Sequence, residues 1–156
     1  MADVVDKATR SRMMAGIRGV NTAAEISLRR ALHAAGFRYR IHAKELPGKP
    51  DIVFPCFGAV VFVHGCFWHR HAGCKWATTP STNVEFWHKK LNGNVERDAR
   101  DIDCLRKLDW RVAVVWECAM RLLGPEQVAG AVAEWLLQPD KSLVLPRKLL
   151  GRLPKE

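Results

Sequence analysis

The sequence predicts an α/β domain, in which a small mixed β-sheet is flanked by helices. Two apolar, β-branched runs at 51–54 and 59–63 lie close together and are separated by a short loop, which is typical of a strand pair. Segments with helical signals begin near residues 22, 82 and 125 and alternate with strand-like runs. At 156 residues the chain has the length of one ordinary domain and can bury a core without disulfides.

The N-terminal half begins with helical signals. Residues 1–20 are rich in Arg, Met and Gly, and we expect them to form an arm or a short helix around 7–17. Thr22-Ala-Ala-Glu25 fits a capping box and predicts the start of a firm helix. Apolar residues then form one stripe, and Gly36 is expected to end the helix.

The remaining elements follow in order along the chain. We expect a strand at 37–41, a turn at 46–50, the strand pair described above, a helix from Thr82 to about Leu108 with a capping box to Glu85, a fully buried strand at 111–116 and a last helix at about 125–137. The segment from Pro139 onward is basic and contains further prolines, and we assign it no structure. The sequence therefore predicts a single domain over 1–138, followed by a basic tail at 139–156.

The strand pair brings an acid close to a histidine. If Phe54 faces Ala59 across the loop, then Asp51 lies opposite Phe62. Opposite residues and alternate residues of a strand point to the same face, so Asp51 and His64 share a face at a diagonal separation of about 7–8 Å. One metal ion or one phosphate oxygen could bridge such a gap. A register slip of a single residue would move His64 to the other face.

Composition narrows the class of protein. Lys and Arg number 25 against 16 Asp and Glu, and the resulting net charge of +9 favours polyanionic partners. The five cysteines are an odd number, and the N-terminus lacks an apolar signal segment, so we expect reduced thiols in a cytoplasmic protein. No apolar run approaches the length of a membrane span.

Two further acids are candidates for the same site. Glu25 is already explained as the acceptor half of the capping box and is a second-rank candidate. Asp98 falls on the apolar stripe of the second long helix, formed by Leu91, Val95, Ile102 and Leu105. A carboxylate that faces the core needs a partner, so Asp98 either binds an arginine or orients a catalytic histidine.

A metal-ligand pattern follows the second strand of the pair. Cys66, His71 and Cys74 offer three zinc ligands within nine residues, and Cys118 is the natural fourth. Three thiolates and one imidazole complete a tetrahedron, which predicts a structural zinc ion without a water ligand. Two alternatives stay open: ordinary buried cysteines, or His69 in place of His71 as the ligand. If His69 is free, it is a candidate general acid or base.

Aromatic residues surround these ligands. Phe67 and Trp68 lie inside the metal-ligand segment, among polar and charged residues, and Trp87 lies near the start of the second long helix. On a rigid loop of a basic protein, such side chains can enter a base stack. As ordinary core residues they would need no further explanation.

These motifs resemble the very short patch repair endonucleases, bacterial enzymes that nick DNA beside a T:G mismatch. The similarity extends from Ala2 to Arg121. It is carried by Asp6-Lys-Ala-Thr-Arg-Ser11, Leu46-Pro-Gly-Lys-Pro-Asp51, Val63-His-Gly-Cys-Phe-Trp-His69, Glu85-Phe-Trp87, Asn94-Val-Glu-Arg-Asp98, Trp110-Arg-Val112 and Trp116-Glu-Cys118.

The resemblance implies a restriction-endonuclease-like fold and Mg²⁺-dependent hydrolysis of one DNA strand next to the T of a T:G mismatch, in the repair of deaminated 5-methylcytosine. It implies that a monomer acts on double-stranded DNA, that other mismatch-repair proteins are candidate partners, and that the arm at 1–20 binds DNA. A restriction-type endonuclease of different specificity and a non-catalytic, zinc-stabilised DNA-binding module are the alternatives.

The resemblance also implies roles for individual residues. The position of Asp51 binds the magnesium ion, and Val63, where the family commonly has Thr, suffices if only its backbone carbonyl contacts the metal. The implied roles of the other positions are water and phosphate chemistry for His64 and His69, support of that site for Glu25 and Asp98, zinc binding for Cys66, His71, Cys74 and Cys118, and wedging into the duplex for Phe67, Trp68 and Trp87. One extra residue lies between His71 and Cys74 compared with the family pattern.

Overall fold

The computed structural model describes residues 6–15 and 22–147. It contains one five-stranded sheet whose strands are β1 (Arg40–Ile41), β2 (Ile52–Phe54), β3 (Ala59–His64), β4 (Arg111–Trp116) and β5 (Ser142–Leu145). The strands lie side by side in chain order. The β1–β2 and β2–β3 pairs are antiparallel, whereas β3–β4 and β4–β5 are parallel. The predicted small mixed sheet is therefore confirmed.

The helices of the described residues are α1 (Lys7–Ala15), α2 (Ala23–Ala34), α3 (Val84–Lys107), α4 (Glu117–Leu123) and α5 (Pro125–Leu137). Of these, α2 to α5 pack around the sheet. The parallel β3–β4 and β4–β5 pairs each need a crossover connection, and helices supply both: α3 in the first, α4 and α5 in the second. No described helix combines the length and the apolar character that a membrane crossing requires.

Two apolar clusters, one on each face of the sheet, form the core. The larger joins α2, α4 and α5 to odd-numbered residues of β3 and β4, such as Val61 and Val115. The smaller lies beneath α3 and includes Val60, Phe62 and Leu105. Because successive strand residues alternate between the faces, His64 follows Val60 and Phe62 onto the α3 side. That alternation directs the end of β3 into the space between the sheet and α3.

The register of the strand pair agrees with the prediction. Phe54 pairs with Ala59 and Ile52 pairs with Val61, which extrapolates to Asp51 opposite Phe62. The connecting residues Pro55–Phe57 form a short 3₁₀ turn that ends at Gly58. The strand at 111–116 and the helix at 125–137 also have the expected bounds.

Three expectations need correction. The helix expected from Thr82 begins at Val84 after Asn83, which makes no side-chain cap bond, so the capping box to Glu85 does not form. The strand expected at 37–41 shortens to β1, because only its last two residues pair with β2. The segment after Pro139 is not without structure: β5 pairs in parallel with β4.

The pattern of β5 explains the last correction. Leu143 and Leu145 are buried and alternate with exposed residues, which is the period-two pattern of an edge strand with one covered face. Of the arm expected at 1–20, the structure describes only 6–15, which contains α1; the rest of the arm and the tail beyond 147 lie outside the described residues.

Candidate active site

A cleft of about 800 Å³ opens between the end of β3, the N-terminal turn of α2 and one side of α3. Five of the residues singled out in the sequence as catalytic line it, namely Glu25, Asp51, His64, His69 and Asp98, and so does Val63. The fold thus brings together residues that are up to 73 positions apart (98 minus 25).

Asp51 is fixed by the turn before it and by the strand opposite. At Gly48 the backbone has φ +73°, and an added Cβ would lie 2.8 Å from the Cβ of Asp101 on α3, so this close approach requires glycine. Past the turn, the backbone N–H of Val63 donates a hydrogen bond of 2.7 Å to Oδ2 of Asp51. The carboxylate is therefore tied to the last residues of β3, as the predicted register requires.

Glu25 lies next to Asp51 and is almost completely buried. Burial, together with the neighbouring Glu25 carboxyl, raises the pKa of Asp51 to about 8, against the opposing effect of its bond from Val63. Two carboxyl groups at close range in a partly dry site favour a bound proton or a bound cation. The pair is thus suited to hold a divalent metal ion through oxygen ligands.

The expected role of Glu25 in the capping box is half right. Its backbone N–H does bond to Oγ1 of Thr22 at 3.3 Å, which caps α2. Its side chain instead points into the interior, where Oε2 lies 3.2 Å from Nε2 of His42 and 3.6 Å from a guanidinium nitrogen of Arg29. Glu25 is therefore a buried acid of the cleft.

His69 and Asp98 form a close pair on the other side of the cleft. Nδ1 of His69 lies 2.6 Å from Oδ2 of Asp98. An ionised carboxylate can only accept, so Nδ1 carries the proton of the neutral ring and Nε2 is left as the acceptor. Of the two alternatives for Asp98, the structure shows the contact with a histidine. Asp98 faces this cleft rather than the core, and Val95 of the expected apolar stripe is 40% exposed.

His64 packs face to face on His69, with ring centroids 3.9 Å apart and planes 6° from parallel. It is buried, and burial, aided by the nearby His69 ring, lowers the pKa of His64 to about 3. His64 therefore stays neutral at physiological pH and can act there as a hydrogen-bonding group. The side chain of His69 retains 28% of its exposure, so His69 is the more accessible of the two rings.

A second cluster of ligand-type side chains lies behind the histidines. It contains Cys66, His71, Cys74 and Cys118, whose ligand atoms all lie within 4.8 Å of one another. Nδ1 of His71 is 3.7 Å from Sγ of Cys66 and 3.4 Å from Sγ of Cys118. A tetrahedral ion bound to sulfur and nitrogen at the usual bond lengths places these atoms roughly 3.6 Å apart. The four residues can therefore hold one metal ion.

This centre is built from the loop after β3 and the start of α4. Two backbone hydrogen bonds fold this loop into short turns. The N–H of His71 donates to the carbonyl of Cys66, and the N–H of Cys74 donates to the carbonyl of His71. Burial raises the pKa of the Cys66 and Cys118 thiols, that of Cys118 to about 12. Metal-free thiols thus stay protonated, and a bound cation would reverse that shift. His69 is not part of the cluster.

The predicted DNA-binding aromatics form one group at the mouth of the cleft. The rings of Phe67, Trp68 and Trp87 have pairwise centroid distances of 5.0, 5.6 and 5.9 Å. Phe86, which is 58% exposed, extends the group through its contact with Trp87. Nζ of Lys90 lies between 5.6 and 5.9 Å from the Trp68, Phe86 and Trp87 ring centroids. A cationic group thus lies beside an aromatic surface.

Several cleft residues on α3 were not predicted from the sequence. Lys90, Asn94, Arg97 and Asp101 line the cleft together with Asp98. Their spacing of three and four residues places them on one side of the helix, a polar stripe that could have been found from helical periodicity. Nδ2 of Asn94 also donates to the Trp68 carbonyl at 3.0 Å, which ties α3 to the aromatic group. His42 was missed because nothing local indicates its contact with Glu25, whereas Arg29 lies four residues after Glu25 on α2 and could have been found from helical spacing.

Comparison with known proteins agrees with this site. Residues 2–76 match the model of the family described as DNA mismatch endonuclease Vsr. The chain is 46% identical over 139 residues to the DNA mismatch endonuclease Vsr of Escherichia coli, covering 87% of this chain and 88% of the relative. It is 44% identical over 124 residues to the type II nicking enzyme V.XorIIP of Xanthomonas oryzae pv. oryzae, covering 80% and 90%.

A third relative, the type II nicking enzyme V.NmeAIP of Neisseria meningitidis, is 40% identical over 121 residues, covering 78% of this chain and 86% of the relative. Identity of this extent spans the cleft, the metal-ligand cluster and the aromatic group together. The resemblance inferred from the motifs is confirmed: the chain belongs to the Vsr family of DNA mismatch endonucleases.

Proposed function

We propose that this DNA mismatch endonuclease cuts one strand of duplex DNA next to the T of a T:G mismatch, by Mg²⁺-dependent hydrolysis. The observation that supports the proposal most is the meeting, in one cleft, of the Asp51–Glu25 carboxyl pair and the hydrogen-bonded His69–Asp98 pair. Phosphodiester hydrolysis needs a cation at the phosphate and a base that takes a proton from water, and the acid pair and the oriented histidine are suited to these two roles.

Asp51 and the backbone carbonyl of Val63 would hold the magnesium ion. In an antiparallel pair a residue directs its N–H and its C=O to the same neighbour, and the N–H of Val63 already points at Asp51. Burial and the neighbouring Glu25 carboxyl group raise the pKa of Asp51, so a second positive charge at this site would be stabilising, and oxygen ligands suit Mg²⁺. When bound, Mg²⁺ supplies Lewis-acid polarisation of the scissile phosphate and stabilises the charge that develops on its oxygens.

His69 would act as the general base. With Nδ1 bonded to Asp98, Nε2 can accept a proton from the water that attacks phosphorus, while the bond from phosphorus to the leaving oxygen breaks. Asp98 stabilises the resulting imidazolium and fixes the tautomer of His69. The buried, neutral His64 would then hold the plane of His69 and offer a hydrogen bond to phosphate.

The cluster of Cys66, His71, Cys74 and Cys118 would hold a structural zinc ion. Three thiolates and one imidazole fill the four positions that zinc prefers, which leaves no position for substrate. His69 lies two residues from His71, so a bound ion fixes the loop that carries the general base. Zinc thereby supports catalysis without taking part in it.

Phe67, Trp68 and Trp87 would enter the base stack at the mismatch. They form one surface beside the cleft, and a mismatched step is cheaper to open than a paired one. Cleavage of one strand is supported by the name of the relatives, which are nicking enzymes. The basic arm at 1–20 would add salt-dependent contacts to the backbone phosphates.

The proposal extends to the whole chain. A single endonuclease domain with a restriction-endonuclease-like fold is supported by the mixed five-stranded sheet that carries Asp51 on its antiparallel hairpin. We propose that it acts as a monomer, because the described residues of one chain already bring the acid pair and the His69–Asp98 pair together. We propose that it acts on chromosomal DNA in the cytoplasm, where other mismatch-repair proteins are its candidate partners.

Incubation of the protein with T:G, other mismatched and matched duplexes, with and without Mg²⁺, tests the proposal. We expect nicking of the T:G duplex only, and only with Mg²⁺. Cleavage of both strands of matched DNA would instead indicate a restriction-type enzyme. Binding of DNA without cleavage under any condition would indicate a non-catalytic, zinc-stabilised module.

A further inference from the structure

Glu25 is held from behind by two side chains that do not themselves line the cleft. Nε2 of His42 and the guanidinium of Arg29 both approach Oε2 of Glu25, at 3.2 and 3.6 Å. Glu25 is one of the cleft-lining residues, whereas His42 and Arg29 are not. Both contacts are to the same carboxylate oxygen, and the Glu25 carboxyl group is also a hydrogen-bond neighbour of Asp51.

His42 makes this contact from an unusual backbone conformation. It follows β1 directly and has φ +50°, in the left-handed region that side chains with a Cβ seldom adopt. The next residue, Ala43, is buried in the smaller core cluster, so the chain is anchored on both sides of His42. Strained backbone of this kind persists where its surroundings fix it, and it is often found next to functional sites. Here the turn at His42 places its ring against Glu25.

We propose that His42, together with Arg29, is a positioning residue that holds the Glu25 carboxylate toward Asp51 and thereby sets the affinity of the cleft for its divalent cation. The inference rests on the proposed cation site at Asp51. His42 contacts neither substrate nor the reacting atoms and acts only through Glu25.

The physical reason is preorganisation. A glutamate side chain has several rotamers, and fixing one of them on cation binding costs conformational entropy. The hydrogen bond from His42 to Oε2 and the ion pair with Arg29 keep Glu25 in one rotamer before the cation arrives, so this entropy is not lost on cation binding. Loss of the His42 contact should therefore weaken cation binding without disturbing the aromatic group or the DNA surface.

A matched pair of substitutions isolates the contact. His42→Asn adopts a positive φ readily but is one methylene too short to reach Glu25, whereas the longer amide of His42→Gln can donate to Oε2. His33→Asn is the control, because His33 is an exposed histidine on α2, the helix that carries Glu25. All are made in the full-length protein.

Mn²⁺ serves as the probe and is titrated without DNA, with the free ion measured by electron paramagnetic resonance. The Asp51→Asn variant gives the background from other sites. We expect His42→Asn to weaken Mn²⁺ binding at least fivefold and to raise the Mg²⁺ concentration for half-maximal nicking by a similar factor. His42→Gln should stay within twofold of the wild type in both measurements, and His33→Asn should be unchanged.

Equal Mn²⁺ affinity in the wild type and in His42→Asn would overturn the inference. So would an equal loss in the Asn and Gln variants, since a shared loss indicates a structural role of the imidazole rather than its bond to Glu25. If the wild type binds Mn²⁺ through Asp51 but does not nick T:G duplexes, the proposed function fails, and the Mn²⁺ comparison still decides the role of His42.

Discussion

Asp51→Asn should abolish nicking and, at the same time, make the metal-free protein more stable. The substituted amide keeps the acceptor oxygen that bonds the backbone N–H of Val63, and it can donate to the neighbouring Glu25. What the substitution removes is an ionisable carboxyl group from a site where burial and Glu25 oppose its ionisation and raise the pKa of Asp51 to about 8. If Asp51 binds the metal ion as proposed, its loss should lower the nicking rate at least about a hundredfold.

The magnitude follows from proton linkage. The folded protein keeps the Asp51 proton up to about pH 8, whereas the unfolded chain loses it near the ordinary value of 3.8. The folded state therefore binds more protons in this window, and the stability of the wild type falls as the pH rises through it. At pH 7 the solution is roughly 3 pH units above the pKa of Asp51 in the unfolded chain, so this linkage lowers the free energy of unfolding of the wild type by at most about 4 kcal/mol. Because Asp51 keeps partial contact with solvent, we expect about 1–3 kcal/mol.

Urea unfolding at several pH values, with and without Mg²⁺, measures this difference, and Asp103→Asn, an exposed acid on α3, is the control. Asp51→Asn should be more stable than the wild type at pH 7–8 and equally stable near pH 4. Saturating Mg²⁺ should stabilise the wild type alone and narrow the gap. Two results would contradict this prediction: an Asp51→Asn variant that is less stable than the wild type at pH 8, or a stability difference between the two proteins that does not depend on Mg²⁺.

Three other substitutions test other parts of the site. Cys118→Ser should lower the bound zinc below half an ion per chain and destabilise the fold by several kcal/mol, whereas substitution of the exposed Cys104 by Ser should do neither. Metal analysis and thermal unfolding measure both effects, and retention of one zinc ion per chain in Cys118→Ser would count against the ligand set. Asp98→Asn should slow single-turnover nicking about ten- to hundredfold and leave the DNA affinity unchanged, because the amide no longer fixes the His69 tautomer. An unaltered nicking rate would exclude Asp98 from the mechanism. Trp68→Ala should weaken binding to a T:G duplex about tenfold and binding to matched DNA by less, as measured by fluorescence anisotropy. An equal loss of affinity for both duplexes would argue against insertion of Trp68 at the mismatch.

Much of the site could be predicted because its elements are local in sequence. The β2–β3 hairpin has a four-residue connection, so its register followed from two apolar runs and placed Asp51 and His64 on one face. The proposed metal ligands Cys66, His71 and Cys74 lie on one loop, and His71 rather than His69 belongs to the cluster. Short-range spacing was sufficient for these features.

Three features that differ from the prediction depend on tertiary contacts. The side chain of Glu25 bonds in the interior instead of capping its helix, because burial next to His42 and Arg29 offers charged partners that a helix end does not. Asp98 was expected to face the core, but it lies on the side of α3 that lines the cleft. β5 was missed because its four residues form a strand only when β4 offers an edge to pair with.

The most direct test of the central claim is strand-resolved cleavage of a T:G duplex. The two strands carry different 5′ labels, and the wild type is incubated with Mg²⁺ beside Asp51→Asn and a matched duplex of the same sequence. We predict that the wild type cuts the T-containing strand once, next to the mismatch, and leaves the partner strand intact. We also predict that Asp51→Asn makes no cut and that the matched duplex is not cut. Cleavage of both strands, cleavage of the matched duplex at a similar rate, or full activity of Asp51→Asn would contradict it.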